Sequence, residues 1–122
     1  MDESILESVK IACGVDPGNT DFDKELIAIT NSVLAILIQL GVGPEEGFQI
    51  EGDDATWADF IGTDKAYYLN HVITYVGKKV RMIFDPPVSS AVKDSTNNIL
   101  SELEWRVNVA AENYASKEAT TP

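Results

Sequence analysis

A chain of 122 residues, 44% of them hydrophobic and with no low-complexity run, has the length and make-up of one globular domain with a modest core. Its formal charge of −11 opposes a surface that grips nucleic-acid phosphates or anionic lipid heads. The charge is also lopsided: residues 1–64 hold fourteen acids against Lys10 and Lys24, whereas in residues 65–122 six acids face seven bases.

Cys13 is the single cysteine, so no intrachain disulfide can form and a reducing compartment fits. The amino terminus lacks the basic-then-apolar pattern of a signal peptide. The most apolar run, Leu26 to Leu40, is shorter than the roughly twenty residues a membrane span needs, and it carries Thr30, Asn31, Ser32 and Gln39. A buried helix is expected there, and no membrane association.

In chain order, the first helix is expected over 2–13, with Ile5, Val9 and Ala12 inward and Gly14 as its left-handed stop. Asp16-Pro17-Gly18 then makes a turn. A second helix over 21–40 opens at Thr20-Asp21-Phe22-Asp23, which resembles a capping box with Asp in place of Glu. Its main face is Phe22, Leu26, Ile29, Val33, Ile36, Leu37 and Leu40; Ile27, Leu34 and Ile38 make a second one. A helix apolar over most of its circumference is the central core helix, and Gly41 ends it. Residues 41–62 read as an irregular loop with at most a short β-piece within 42–54. Near its end, Asp53 or Asp54 is placed to cap a short helix carrying Trp57, Phe60 and Ile61.

A long helix follows over 64–84, with Leu69, Val72, Ile73, Val76, Val80, Ile83 and Phe84 on its core face and Tyr68, His71, Tyr75, Lys78 and Met82 on another. Pro86 and Pro87 stop it, because each proline pushes its predecessor out of the helical region. Ser89 or Ser90 caps the last helix, expected over 90–113 with Val92, Ile99, Leu103, Val107 and Ala110 inward. The fold class is therefore all-α: a small helical bundle with a long antiparallel hairpin (64–84, 90–113) and an irregular loop at 41–62. Residues 1–114 form the single domain, and residues 115–122, without periodicity, a flexible C-terminal tail.

Reactive chemistry is thinly represented. His71 is the single histidine and has no neighbouring triad partner or second ligand, and Cys13 lacks companions for zinc or nucleophilic work. Glu45-Glu46, Asp53-Asp54 and Asp21/Asp23/Glu25 do not follow the ligand spacing of a calcium loop. Gly41, Gly43 and Gly47 lack the lysine of a phosphate loop. No catalytic residue, cofactor or metal is expected.

Two features suit assembly instead. Lys78, Lys79 and Arg81 form a basic cluster, better read as a solvated face or a partner for another subunit's acids than as a grip on DNA. Trp105 lies roughly 200° around the helix from Leu103, one turn before Val109 and flanked by Glu102, Glu104 and Arg106. Such an aromatic sits either under a loop or in a subunit contact, where Trp and Arg are common anchors. Trp105, Arg106 and Val109, with Tyr75, Lys78, Lys79 and Arg81, are the expected interface with a neighbouring subunit or another partner.

Five stretches together carry a resemblance. They are Asp21-Phe22-Asp23; the run from Gln39 to Phe48, which includes Gly41-Val42-Gly43-Pro44-Glu45-Glu46-Gly47; Ala55-Thr56-Trp57-Ala58-Asp59-Phe60; the run from Lys79 to Pro87; and Glu102-Leu103-Glu104-Trp105-Arg106-Val107-Asn108. In this order, over about residues 3–110, the sequence resembles the head–tail connector, adaptor or head-completion proteins of tailed phages. The resemblance implies a helical, non-enzymatic virion protein made in the host cytoplasm. It implies a ring of copies, typically dodecameric, docked beneath the portal and joining it to the tail, stopper or head-closure protein. DNA would pass through the channel without sequence-specific binding, and an acidic wall would keep the duplex from adhering. The rival reading is an acidic regulatory or DNA-mimic protein that occupies the basic groove of a nucleic-acid enzyme.

Overall fold

The computed structural model describes residues 3–62 and 69–120, with the side chains of 3–62 and 70–113. Within them five helices follow one another: α1 (Ile5–Ala12), α2 (Asp23–Gln39), α3 (Trp57–Ile61), α4 (Leu69–Phe84) and α5 (Ser90–Thr120). The expected start of the long helix at Thr63 or Asp64, and Tyr68, lie outside the described residues. At the other end α5 runs past Asn113 to Thr120, so its backbone continues through much of the segment expected as a tail. The all-α class holds.

α2 is the centre of the bundle. Leu26, Val33, Leu34 and Leu37 are fully buried, and Ile27, Ile29, Ile38 and Leu40 pack against them, so both expected faces are used. α1 and α4 flank α2, and α5 closes the other side of α4. From α1 come Ile5, Leu6 and Val9; from α4 come Val72, Val76 and Val80; from α5 come Leu100, Val107 and Ala111. Gly77 lets α1 and α4 meet closely, since a Cβ at that position would stand 3.0 Å from the Ala12 methyl carbon.

Two helix ends close the same way, and the glycines explain both. Gly14 (φ 74°) and Gly41 (φ 96°) take the left-handed conformation. The following residue then folds back, with Val15 N donating to Lys10 O at 2.8 Å and Val42 N to Leu37 O at 2.9 Å. The start of α2 departs from expectation. Its N-cap is Phe22, whose ring offers no acceptor, so no side chain caps it, and the Asp23 carboxylate turns to Lys10 instead. It lies 2.6 Å from the Lys10 ammonium, which also donates to Pro17 O at 3.2 Å and Asn19 O at 2.9 Å. A buried ammonium has three protons to satisfy and here finds three oxygens.

The 41–62 segment is irregular but tightly held. Asn31 of α2 accepts from Ile50 N at 2.7 Å and donates to Ile50 O at 3.1 Å, substituting for a β-strand partner in the middle of the loop. No strand forms within 42–54, in keeping with the expectation of at most a short β-piece there. The pairing lies later, at an isolated antiparallel bridge between Ser4 and Thr56, flanked by Ile5 N to Ala55 O (3.0 Å) and Trp57 N to Glu3 O (3.2 Å). α3 is capped by Thr56, not by Asp53 or Asp54: Asp59 N donates to Thr56 Oγ1 and Thr56 N to Asp59 Oδ2. That box aims Trp57, Phe60 and Ile61 into the core, where the Trp57 indole N–H reaches Ser8 Oγ at 3.1 Å. Gly43 (φ 88°) lies flush on Phe60, whose ring a Cβ would approach to 2.5 Å.

Lys10→Met should lower stability by about 3 kcal/mol, because Asp23 and two backbone carbonyls lose a buried cation together. Chemical denaturation with an unchanged m-value checks this, and a midpoint equal to the parent's would remove the ammonium's structural role.

Candidate assembly surface

α4 and α5 form a hairpin arm around a rigid corner at residues 85–89. Asp85 N closes α4 on Arg81 O at 2.7 Å, and the two prolines follow. Ser89 then caps α5: its Oγ accepts from Val92 N at 3.4 Å, and its carbonyl accepts from Lys93 N at 3.0 Å. At the base of the arm, Asn108 Nδ2 donates to Leu40 O at 2.9 Å and ties α5 to the end of α2. Near the corner, Phe22 at the start of α2 meets Phe84 edge-on, with ring centroids 5.5 Å apart. α2 therefore runs antiparallel to α4, and its 17 residues span roughly 25 Å between these two contacts.

Apolar surface left uncovered concentrates on this arm. Of seven exposed large hydrophobic residues among those described, Ile83, Val88, Val92, Ile99 and Trp105 belong to it. Val88 is wholly exposed and Trp105 65% exposed. Val92 and Ile99 were expected inward; both face solvent, and Leu100 takes the buried position beside Leu103, Val107 and Ala111. The sequence offers two adjacent apolar residues, Ile99 and Leu100, and either continues a step of three or four to Leu103 or Val107. What selects Leu100 is the position of α4, which a helical period does not encode. Ile83, expected on the core face of α4, is likewise half exposed.

The seven expected interface residues separate into three groups. Trp105 and Arg106 stand exposed on the outer side of α5, with Val109 half-buried beside them. The Arg106 Nε and Nη2 both donate to Glu102 Oε1, at 3.1 and 2.8 Å, a surface pair one turn apart that contributes a few tenths of a kcal/mol. Lys78 and Arg81 are exposed and Lys79 half-buried, and none of the three makes an ion pair among the described residues. Arg81 Nη1 sits 3.4 Å from Ala12 O, at the negative end of α1. Tyr75 belongs to neither cluster. It was expected on an outer face with His71 and Lys78, but its side chain is fully enclosed in the core. An aromatic body between Val72 and Val76 is drawn inward by the burial of its ring, even though its hydroxyl finds no hydrogen-bond partner there.

Lys78 and Arg81 also line a groove of about 410 Å³ under the corner, with Met82, Pro87, Val88 and Val92 as its apolar part. The groove is amphipathic and net positive: Lys78 and Arg81 outnumber the one carboxylate, Asp85, beside the aliphatic carbon of Met82, Val88 and Val92.

Reaction chemistry does not assemble. His71 is exposed on α4, and burial pushes the Cys13 thiol up, against a smaller lowering by Arg81 and a further rise from Asp85. Among the described residues no group of three or more His, Cys, Asp or Glu side chains could hold a metal ion, and no helix is long and apolar enough to cross a membrane.

A helical body that leaves most of its exposed large apolar residues on one hairpin has the build of a structural assembly subunit. The chain belongs to the phage connector protein family, whose model matches residues 5–114. No curated protein and no solved structure matches it. Membership gives the broad role: a structural connector of the phage particle, assembling with other head and tail proteins. The resemblance carried by the five sequence stretches is thereby borne out at the level of the family.

Burial of Tyr75, with a smaller push from the Glu104 carboxylate, raises its phenol to about 12 from an ordinary 10. A raised acid binds its proton longer folded than unfolded, so this stability is complete below pH 10 and is lost between pH 10 and about 12. Spectrophotometric titration should show one of the four tyrosines ionising late, together with unfolding. Tyr75→Phe should remove that late step at little or no cost in stability, since the lost hydroxyl has no partner.

Proposed function

We propose that the protein is a neck adaptor of a tailed phage. In this reading copies of the single domain of residues 1–114 form a closed, dodecameric ring beneath the portal, extend the DNA channel and carry the tail, stopper or head-closure protein. DNA passes through the ring without sequence-specific contact, a role that a net charge of −11 suits because like charge keeps the duplex from sticking. The adaptor works by contact rather than by catalysis, and its place in the virion is the head–tail interface.

The exposure of Trp105 carries this reading. A tryptophan 65% open to water, on the helix that also exposes Ile99 and next to the Arg106–Glu102 pair, is a large apolar area that a free-standing domain has no reason to display. Trp and Arg at the centre of a covered patch are the residue types that dominate binding energy, at about 2 kcal/mol or more for each anchor, and a ring repeats the contact at every copy. In this reading Trp105, Arg106 and Val109 dock on the portal side of the neck.

Trp105→Ala should leave the protein folded with a melting temperature near the parent's, because the ring contributes little to the core. Heads assembled with the variant should lack attached tails in electron micrographs and should fail to retain it when sedimented. Complete, infectious particles built with a well-folded variant would overturn the role of Trp105.

A further inference from the structure

The groove under the corner of the arm and the acidic loop of the body are complementary surfaces on different parts of one molecule. Glu45, Glu46, Glu51, Asp53 and Asp54 are all exposed, and none makes an ion pair among the described residues. No lysine or arginine occurs between Lys24 and Lys65 to neutralise them. The groove presents a net opposite charge, with Lys78 and Arg81, neither of them in an ion pair among the described residues, against the single carboxylate of Asp85, beside Met82, Val88 and Val92. The two surfaces cannot meet within one molecule. α2 separates them: its Phe22 end touches the arm near the corner, and the loop departs from its Leu40 end, where Asn108 holds it at the arm's base. Asn31 and the Ser4–Thr56 bridge then fix the loop along the body.

Resting on the reading that copies of this protein assemble, we infer that the groove of one copy receives the 45–54 loop of the next. The contact is heterologous, since groove and loop are different patches, and such contacts close into rings or run on as filaments. It pairs Lys78 and Arg81 with loop carboxylates while the loop covers the aliphatic wall of Val88 and Val92, both left exposed by the single copy. The assignment also divides the arm's labour. The groove side of α5 serves the neighbouring copy, and the outer side, with Trp105, remains for a different partner.

The test uses the full-length protein in sedimentation equilibrium. The parent should self-associate at low salt, and the association should weaken by about tenfold or more as salt rises from roughly 0.05 to 0.5 M. A groove-reversed variant carries Lys78→Glu and Arg81→Glu; a loop-reversed variant carries Glu45→Lys, Glu46→Lys and Asp53→Lys. Circular dichroism and the melting temperature confirm that each is folded. Lys78→Glu alone, which leaves the Arg81–Ala12 contact intact, serves if the double groove variant is not. Each variant by itself should lose self-association by about ten- to a hundredfold. An equimolar mixture should regain it. The groove-reversed variant offers an acidic groove to the basic loop of the other, and its own acidic loop fits the other's basic groove. A parent that stays monomeric at low salt, variants that associate as the parent does, or a mixture that fails to recover would each overturn the inference. Binding of the same variants to portal-bearing heads separates the two claims. Head binding that survives while the charge swap fails removes the groove assignment alone, and a parent that binds no heads removes the adaptor reading instead.

Discussion

The buried ammonium of Lys10 holds the architecture together. It sits at the end of α1, and its three oxygens come from the turn at Pro17 and Asn19 and from Asp23 at the start of α2. One side chain therefore fixes the angle between two helices and the path of the segment joining them. A lysine almost never enters a core unless its charge and all its protons are met, so the site tolerates little rearrangement. With α1 fixed against α2, the glycine at position 77 lets α4 approach α1, and the arm inherits its direction from that contact.

The same device recurs wherever an irregular segment has to be held against the bundle. Asn31 completes both backbone groups of Ile50, and Asn108 takes the carbonyl left open at the end of α2. Unpaired backbone groups are costly when buried, and an amide projecting from a helix supplies a donor, an acceptor or both without a second strand. The loop therefore lies along the body with its acids outward and Ile50 and Phe48 inward. These bonds tie the loop to the body at its middle and at its end.

These long-range pairings explain which parts of the molecule are legible in the sequence. Helices α2 and α4, the glycine stops and the proline corner follow from local rules, and they appear near the expected places. So does the apolar trio of α3, Trp57, Phe60 and Ile61, although its cap moves to Thr56 because that threonine and Asp59 have the reciprocal spacing. The roles of Lys10, Asn31 and Asn108 are not legible, since each partner lies seven to sixty-eight residues away and nothing in the spacing marks it. The faces of Tyr75 and of Ile99 against Leu100 differ from expectation for a related reason. A period identifies which residues share a stripe, and only the position of the neighbouring helix decides which of two adjacent stripes is covered. For the assembly surface, Trp105 and Arg106 are legible as outliers from the stripe, whereas the groove needs both helices in place.

Charge decides what kind of contact this shape can make. The body, residues 3–62, carries twelve acids against Lys10 and Lys24, while residues 69–113 of the arm balance five of each sign. Two bodies brought together on their acidic faces repel, so a symmetric contact through the body is opposed by several like pairs. An arm laid on a body meets no such barrier and gains where Lys78 and Arg81 face carboxylates. The outer turns of α5 add to this bias. Residues 90–95 are exposed all round, and a helix draws most of its stability from the face it packs. A partner that covered that stretch would strengthen the arm as well as the contact, coupling order in the hairpin to association. The acidic surface of the body and the nearly neutral hairpin, with its exposed Val88, Val92, Ile99 and Trp105, thus favour a contact between unlike surfaces over one between like ones.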